Sequence, residues 1–313
     1  MPLSNSAVSA GRLLLFQILY LTCGFAMQAE PLSEPAKNLR QLQALRAGES
    51  MRELGWTINE DFVPKRVRAM LTRTKHNMRD QIVAAMGQDM DAGAPPDAIE
   101  AAIARRFEQA GLREHRGDSS LRYARRFVLQ AAEVPGQPEL RAITLVIGIP
   151  LGDDSSLYIF AHGPSGWRLV LSSEVNGYVS VAKAQSRIRY QVSPSAGDGS
   201  WFVVTGGISN HYASAWQVLT YTAQMPGDDP EHPRVLVREK STIYIGGFED
   251  ERQAFQLLLS ANGFHIEFPR DFGPNQTGIV WAVYSYDIAE GRARPHAPEC
   301  HLNRVRGRRI ACP

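Results

Sequence analysis

From Arg141 to Glu290 the chain is cut into short segments by turns, and this punctuation limits the folds open to it. Gly-, Pro-, Asn- and Asp-rich stretches recur at 152–155, 163–166, 197–199, 206–207, 226–230, 246–247, 262–263, 273–275 and 290–291. Parallel strands need a crossover of about a dozen residues or more, so strands this closely spaced pair antiparallel. Ile143, Leu145, Ile147 and Ile149 alternate, which predicts a half-buried strand. The same region holds four of the five Trp and eight of the ten Tyr, residues that suit a pleated surface. It is slightly short for a propeller of four blades of ~40 residues. A sandwich or an open barrel fits better.

Two hairpins can be given a register. Asn262-Gly263 is a strong two-residue turn signal, with positive φ wanted at both positions. It would pair Ala261 with Phe264, Leu259 with Ile266 and Leu257 with Phe268, all on one apolar face. The turn at Gly163–Gly166 would pair His162 with Trp167, Phe160 with Leu169 and Tyr158 with Leu171.

Upstream the apolar period is helical. Val67, Met70, Leu71 and Thr74 form one stripe over 61–77, with five Lys/Arg on the other face. Ile82, Val83, Met86 and Met90 repeat it over 78–90. After Pro95-Pro96, Asp97 and Glu100 have the spacing of a capping box, and Gly111 closes the stripe Ile99, Ala102, Ile103, Phe107 and Ala110. Residues 36–112 therefore read as three or four short amphipathic helices.

The ends speak about compartment. Arg12, the apolar run Leu13–Ala26 and the small residues after it have the layout of a secretory signal peptide over 1–29, cut near Met27 or Glu30. The run of 14 residues is shorter than the ~20 that span a bilayer. Cys23 would leave with it. Lipidation there is the alternative, although Leu21 and Thr22 suit it badly. The even pair Cys300 and Cys312 reads as a disulfide in an exported chain. Charge is uneven: 17 Lys/Arg face 12 Asp/Glu over 37–126, 10 face 15 over 141–290, and six Arg face one Glu over 291–313. The basic helical part can therefore sit against the acidic part of the same chain.

The chain carries no phosphate-cradling Gly loop, no His-Glu-x-x-His, no Cys-x-x-Cys and no Gly-x-Ser-x-Gly. Gly152-Asp153-Asp154-Ser155 lacks the alternating ligands of a calcium loop and reads as a solvated turn. Glu249-Asp250-Glu251 reads the same way. The segment 207–215, between two expected core strands, is the polar loop that could touch a ligand through Asn210, His211 and Tyr212. His211 with Ser209 or Ser214 would be its nucleophilic candidates. Arg304, Arg306, Arg308 and Arg309 form a basic loop inside the cysteine pair, suited to an anionic envelope polymer or a protein partner. No metal site, cofactor or nucleic-acid partner is implied.

These readings give an α+β chain: a signal at 1–29, a helical region and linker at 30–120, an antiparallel β domain at 121–290, and a basic tail at 291–313. They suggest an exported, non-catalytic binding or scaffolding protein, secreted or periplasmic, with no transmembrane segment after signal removal. The rivals are a secreted hydrolase of glycan or ester bonds using 207–215 and a periplasmic assembly or folding factor.

Overall fold

Among the described residues, a helical piece at 34 and 36–38 is followed by helices α1 (Lys65–Asp89) and α2 (Pro96–Gln109) and then by fourteen strands. The computed structural model describes residues 34, 36–38, 63–112, 127–149, 152–175, 188–209, 215–245, 254–271, 279–302, 309–310 and 312. The expected signal lies outside them, as do Asn210, His211, Tyr212, Ser214, Glu249–Glu251, Arg304, Arg306 and Arg308.

Sheet one runs β1 (Phe127–Val134), β2 (Gln137–Ile149), β3 (Gly152–Gly163) and β4 (Gly166–Glu174) in sequence order. Sheet two runs β5 (Arg189–Val192), β6 (Val203–Ile208), β7 (Trp216–Met225) and β8 (Arg234–Tyr244). Sheet three comprises β9 (Gln256–Ser260), β10 (Gly263–Asp271), β11 (Ile279–Ala289), β12 (Arg292–Pro295), β13 (Glu299–His301) and β14 (Arg309–Ile310). Its order is β14-β13-β11-β10-β9, with β12 also on β11. The strands pair antiparallel throughout and no sheet closes into a barrel.

Each neighbouring pair of layers shares an apolar cluster. Val67, Leu71, Met78 and Ile82 of α1 and Ile103 and Phe107 of α2 pack on Ile143, Leu145, Tyr158 and Phe160 of sheet one. The opposite face of sheet one, through Leu140, Ala142, Leu157 and Ile159, meets Ile188 and Val203 at sheet two. The far face of sheet two, with Phe202, Leu219 and Tyr221, meets Phe255, Phe264, Phe268 and Tyr286 at sheet three. In that last cluster the Tyr221 and Tyr286 hydroxyls lie 2.9 Å apart.

Several sequence expectations change here. The strand at 141–149 is buried on both faces, because helices cover one side and sheet two the other. The stripes at 61–77 and 78–90 are one continuous helix of 25 residues, α1. Pro95 precedes α2 and no side chain caps it; Glu100 instead accepts the Ala131 amide of β1 at 2.8 Å. Gly111 does end α2, with a φ of 72°. Residues 152–155 belong to β3, and Gly206-Gly207 lies inside β6. Cys300 and Cys312 are disulfide-bonded, with Cys300 wholly buried.

Register differs in both hairpins. His162↔Trp167 and Phe160↔Leu169 pair as expected, but a bulge at Ile159/Phe160 sets Ile159 against Leu171 and Tyr158 against Ser172. In the other, the turn is Ala261-Asn262, so Leu259 faces Phe264 and Leu257 faces Ile266. The shift of one pair keeps the apolar face intact because side chains repeat every second residue. Neither Asn262 nor Gly263 takes a positive φ; Glu290 and Gly291 do, at 52° and 65°, between β11 and β12. Gly263 is needed for a different reason. A Cβ there would lie 2.6 Å from the Tyr286 carbonyl oxygen of the paired strand.

Gly263→Ala is therefore expected to destabilise by about 1–3 kcal/mol through overpacking. Exposed Asn262→Ala is expected to cost less than about 0.5 kcal/mol, as a surface change does. Denaturant melts of both variants check this; equal effects would return the importance to turn chemistry.

Candidate functional site

One face of α1 carries three basic side chains, Lys75, His76 and Arg79, toward β4, an edge strand of sheet one. Lys75 is 1% exposed, although by sequence it counts among the five Lys/Arg on the face away from the apolar stripe. The signal was in the spacing: Lys75 sits four residues after Leu71, three before Met78 and seven before Ile82, inside the apolar stripe. Its ammonium donates to Asp154 Oδ1 at 3.1 Å and to the Val175 carbonyl at 3.0 Å. Asp154 is 2% exposed, so the expected solvated turn is instead a buried strand position opposite Ile147. Desolvation pushes the Asp154 carboxyl up to about 6, against the pull of Lys75.

Glu174, at the end of β4, joins this buried pair to the surface. Its Oε1 accepts the Tyr158 hydroxyl at 3.1 Å and lies 3.8 Å from Arg79 Nη1. Its Oε2 lies 3.8 Å from Lys75 Nζ and 3.5 Å from His76 Nε2. Burial, then the Glu174 charge, holds the Tyr158 phenol well above its ordinary range. Arg79 reaches outward to Glu231 Oε2 at 2.8 Å. Burial lowers the affinity of its guanidinium for a proton, but the bond to Glu231 and the charges of Glu231, Glu174 and Asp80 together outweigh this and raise it.

Glu231 belongs to the β7–β8 loop, which is tied down at two points. The Ser172 amide of β4 donates to the Pro230 carbonyl at 2.8 Å. His232 Nδ1 lies 2.7 Å from Asp229 Oδ2 within the loop. A bulge at Ala223/Gln224 sets Gln224 against Val235, which turns Val235 to the same face of β8 as Arg238. Between α1, β4, this loop and β8 opens a cleft of about 430 Å³. His76, Arg79, His232 and Arg238 line it with positive or protonatable groups, and Glu174 and Glu231 with negative ones. Gln224, 6% exposed, also lines it, and its Oε1 has no hydrogen-bond partner among the described residues.

The residues singled out in the sequence are placed elsewhere or lie outside the described residues. The Ser209 hydroxyl accepts the Val218 amide at 2.9 Å and lies 3.3 Å from Gln217 Oε1, so it caps the β6–β7 ladder. Arg309 pairs with His301 as part of β14. Among the described residues, no group of three or more His, Cys, Asp or Glu could hold a metal ion. Among them, no helix is long and apolar enough to cross a membrane. Comparison with protein-family models, with curated proteins and with solved structures finds no match for this chain.

The chemistry divides in two. Asp154 and Tyr158 have displaced pKa values but do not line the cleft, so they act on the fold rather than on a solute. Lys75→Met or Asp154→Leu alone is expected to destabilise by about 3–5 kcal/mol, since each leaves a buried charge without its nearest counter-ion. The double change is expected to fall within about 1 kcal/mol of the wild type, because an apolar pair of similar volume replaces the ion pair. Urea melts of the three variants check this, and an additive double variant would show that the two groups are not coupled. Asp154 also has a pH signature. Its folded value of about 6 exceeds the ordinary 3.8, so the folded state holds an extra proton between them and stability falls as pH rises across that window. Asp154→Asn should lack this fall in melts run from pH 4 to 6.

Proposed function

We propose that this chain is an exported, non-catalytic binding protein of the cell envelope or extracellular space, and that its cleft holds an anionic polymer. The observation that carries this reading is the cleft itself. Two arginines and two histidines border it, and Arg79 already offsets Glu231 at 2.8 Å. Arg238 is exposed and has no acidic partner among the described residues. Cations gathered in a concave, partly desolvated surface attract an anion more strongly than cations spread in water.

Binding is favoured over hydrolysis by the state of the titratable groups. General acid–base work needs a poised group within reach of the substrate. The groups displaced toward such a role, Asp154 and Tyr158, are closed off from the cleft. The Cys300–Cys312 bond and the layout of residues 1–29 support export, in that disulfides persist in oxidising compartments.

Two measurements test the reading. Mass spectrometry of exported protein is expected to find an N-terminus between Met27 and Glu30, and retention of the full-length chain in the membrane would refute it. Full chain passed over dextran sulfate beads is expected to be retained and then released by salt, since exposed charges are screened within about 8 Å at physiological ionic strength. Arg238→Glu should elute at markedly lower salt, while Cys300→Ser/Cys312→Ser should elute with the wild type. Equal elution of Arg238→Glu and wild type would remove the cleft as the anion site. Early elution of the cysteine variant alone would move that site to the basic tail.

A further inference from the structure

We infer that the anionic group seated in the cleft is the carboxylate of a uronic-acid residue in a glycan, bound by Arg79 where Glu231 now sits, with Arg238 lining the same cleft. This rests on the reading of the cleft as an anion site and names the ligand's chemistry.

Glu231 shows what the seat accepts. Its Oε2 lies 2.8 Å from Arg79 Nη1, while its side chain stays 48% exposed. The loop beneath it is held by the Ser172–Pro230 hydrogen bond, so the carboxylate can swing away while the backbone stays. Arg79 is 11% exposed and keeps Asp80 within 3.6 Å, so its guanidinium remains in place when Glu231 leaves.

Charge selects a monoanion. Glu174, itself buried, lies 3.8 Å from the same guanidinium nitrogen. A phosphate group with a charge near −2 would meet that carboxylate at close range, whereas a carboxylate carries one charge.

The remaining lining selects a ligand with hydroxyls. Gln224 Oε1 is a buried acceptor with no partner among the described residues, and an acceptor of that kind is satisfied only by a donor. A carboxylate or sulfate has none to give; a sugar hydroxyl does. Pro233 and Val235, the latter 43% exposed, offer an apolar edge to the C–H face of a pyranose ring. A cleft of about 430 Å³ open to solvent suits one or two sugar rings with the polymer continuing outward.

Calorimetric titration of the full chain with trigalacturonic acid tests this, with its methyl ester, inorganic phosphate and hexaglutamate as the other arms. Trigalacturonate is expected to bind, with the ester and phosphate at least tenfold weaker. Glu231→Gln removes the internal competitor and should tighten trigalacturonate binding at least threefold. Arg238→Gln should weaken it at least tenfold. Equal affinity for acid and ester, or an unchanged or weaker Glu231→Gln, overturns the inference. Binding of hexaglutamate but not trigalacturonate replaces the glycan with an acidic peptide. Retention on dextran sulfate with no trigalacturonate binding overturns this inference alone and leaves the anion cleft standing. Trigalacturonate binding that ignores both substitutions places the site elsewhere and overturns both.

Discussion

The Lys75–Asp154 pair is the contact on which the rest of the arrangement depends. It is the point where α1 is locked to sheet one by charge rather than by apolar packing alone. A buried ammonium costs several kcal/mol to desolvate unless its partners are close and well aimed. Here they are: one carboxylate, one backbone carbonyl and a second carboxylate at longer range. Apolar contact between a helix and a sheet tolerates small slides, because it is not directional. An ammonium fixed between Asp154 and Val175 does not, so this pair sets the position of the helix along the sheet. His76 and Arg79, one and four residues on, are thereby delivered to the cleft rim.

Glu174 carries that order outward. It is shared among a phenol, a guanidinium, an ammonium and an imidazole, and it lies at the end of an edge strand. Edge strands leave backbone groups unpaired and need cover. The β7–β8 loop supplies it through Pro230 and places Glu231 against Arg79 on the way. The same loop thus covers a strand edge, ties sheet two to sheet one and forms a wall of the cleft. Its hydrogen bonds connect a buried, dry network to an open, wet one.

Stacking three sheets under α1 and α2 makes unusual demands on individual residues. β2 is buried on both sides, so its second face carries small or polar residues such as Ala142, Thr144 and Gly148 between the larger Ile and Leu positions. Where sheets two and three meet, aromatic residues fill the gap. Phe264 stacks on Tyr286 at 4.7 Å between ring centres, and Tyr286 bonds to Tyr221. Close packing of this kind explains why glycine at 263 serves strand approach rather than turn geometry.

Local pattern was enough for much of this. Alternation and turn spacing determined the antiparallel β class and the 163–166 hairpin, the even cysteine count the disulfide, and the helical stripe the end of α2 at Gly111, because each depends on residues near in sequence. The apolar face of the 257–268 hairpin also survived a one-pair shift of its turn. What only the tertiary structure decided were the features that need a partner far along the chain. Lys75 reads as one more solvated cation until Asp154, 79 residues later, gives it a reason to be buried. Asp154 reads as a turn acid until α1 covers its strand. Glu174, Glu231 and Arg238 carry no motif at all, and α1, β4 and a bulge in β7–β8 bring them to one cleft. Periodicity reports which face a residue takes on its own element; it cannot report a charge waiting on another.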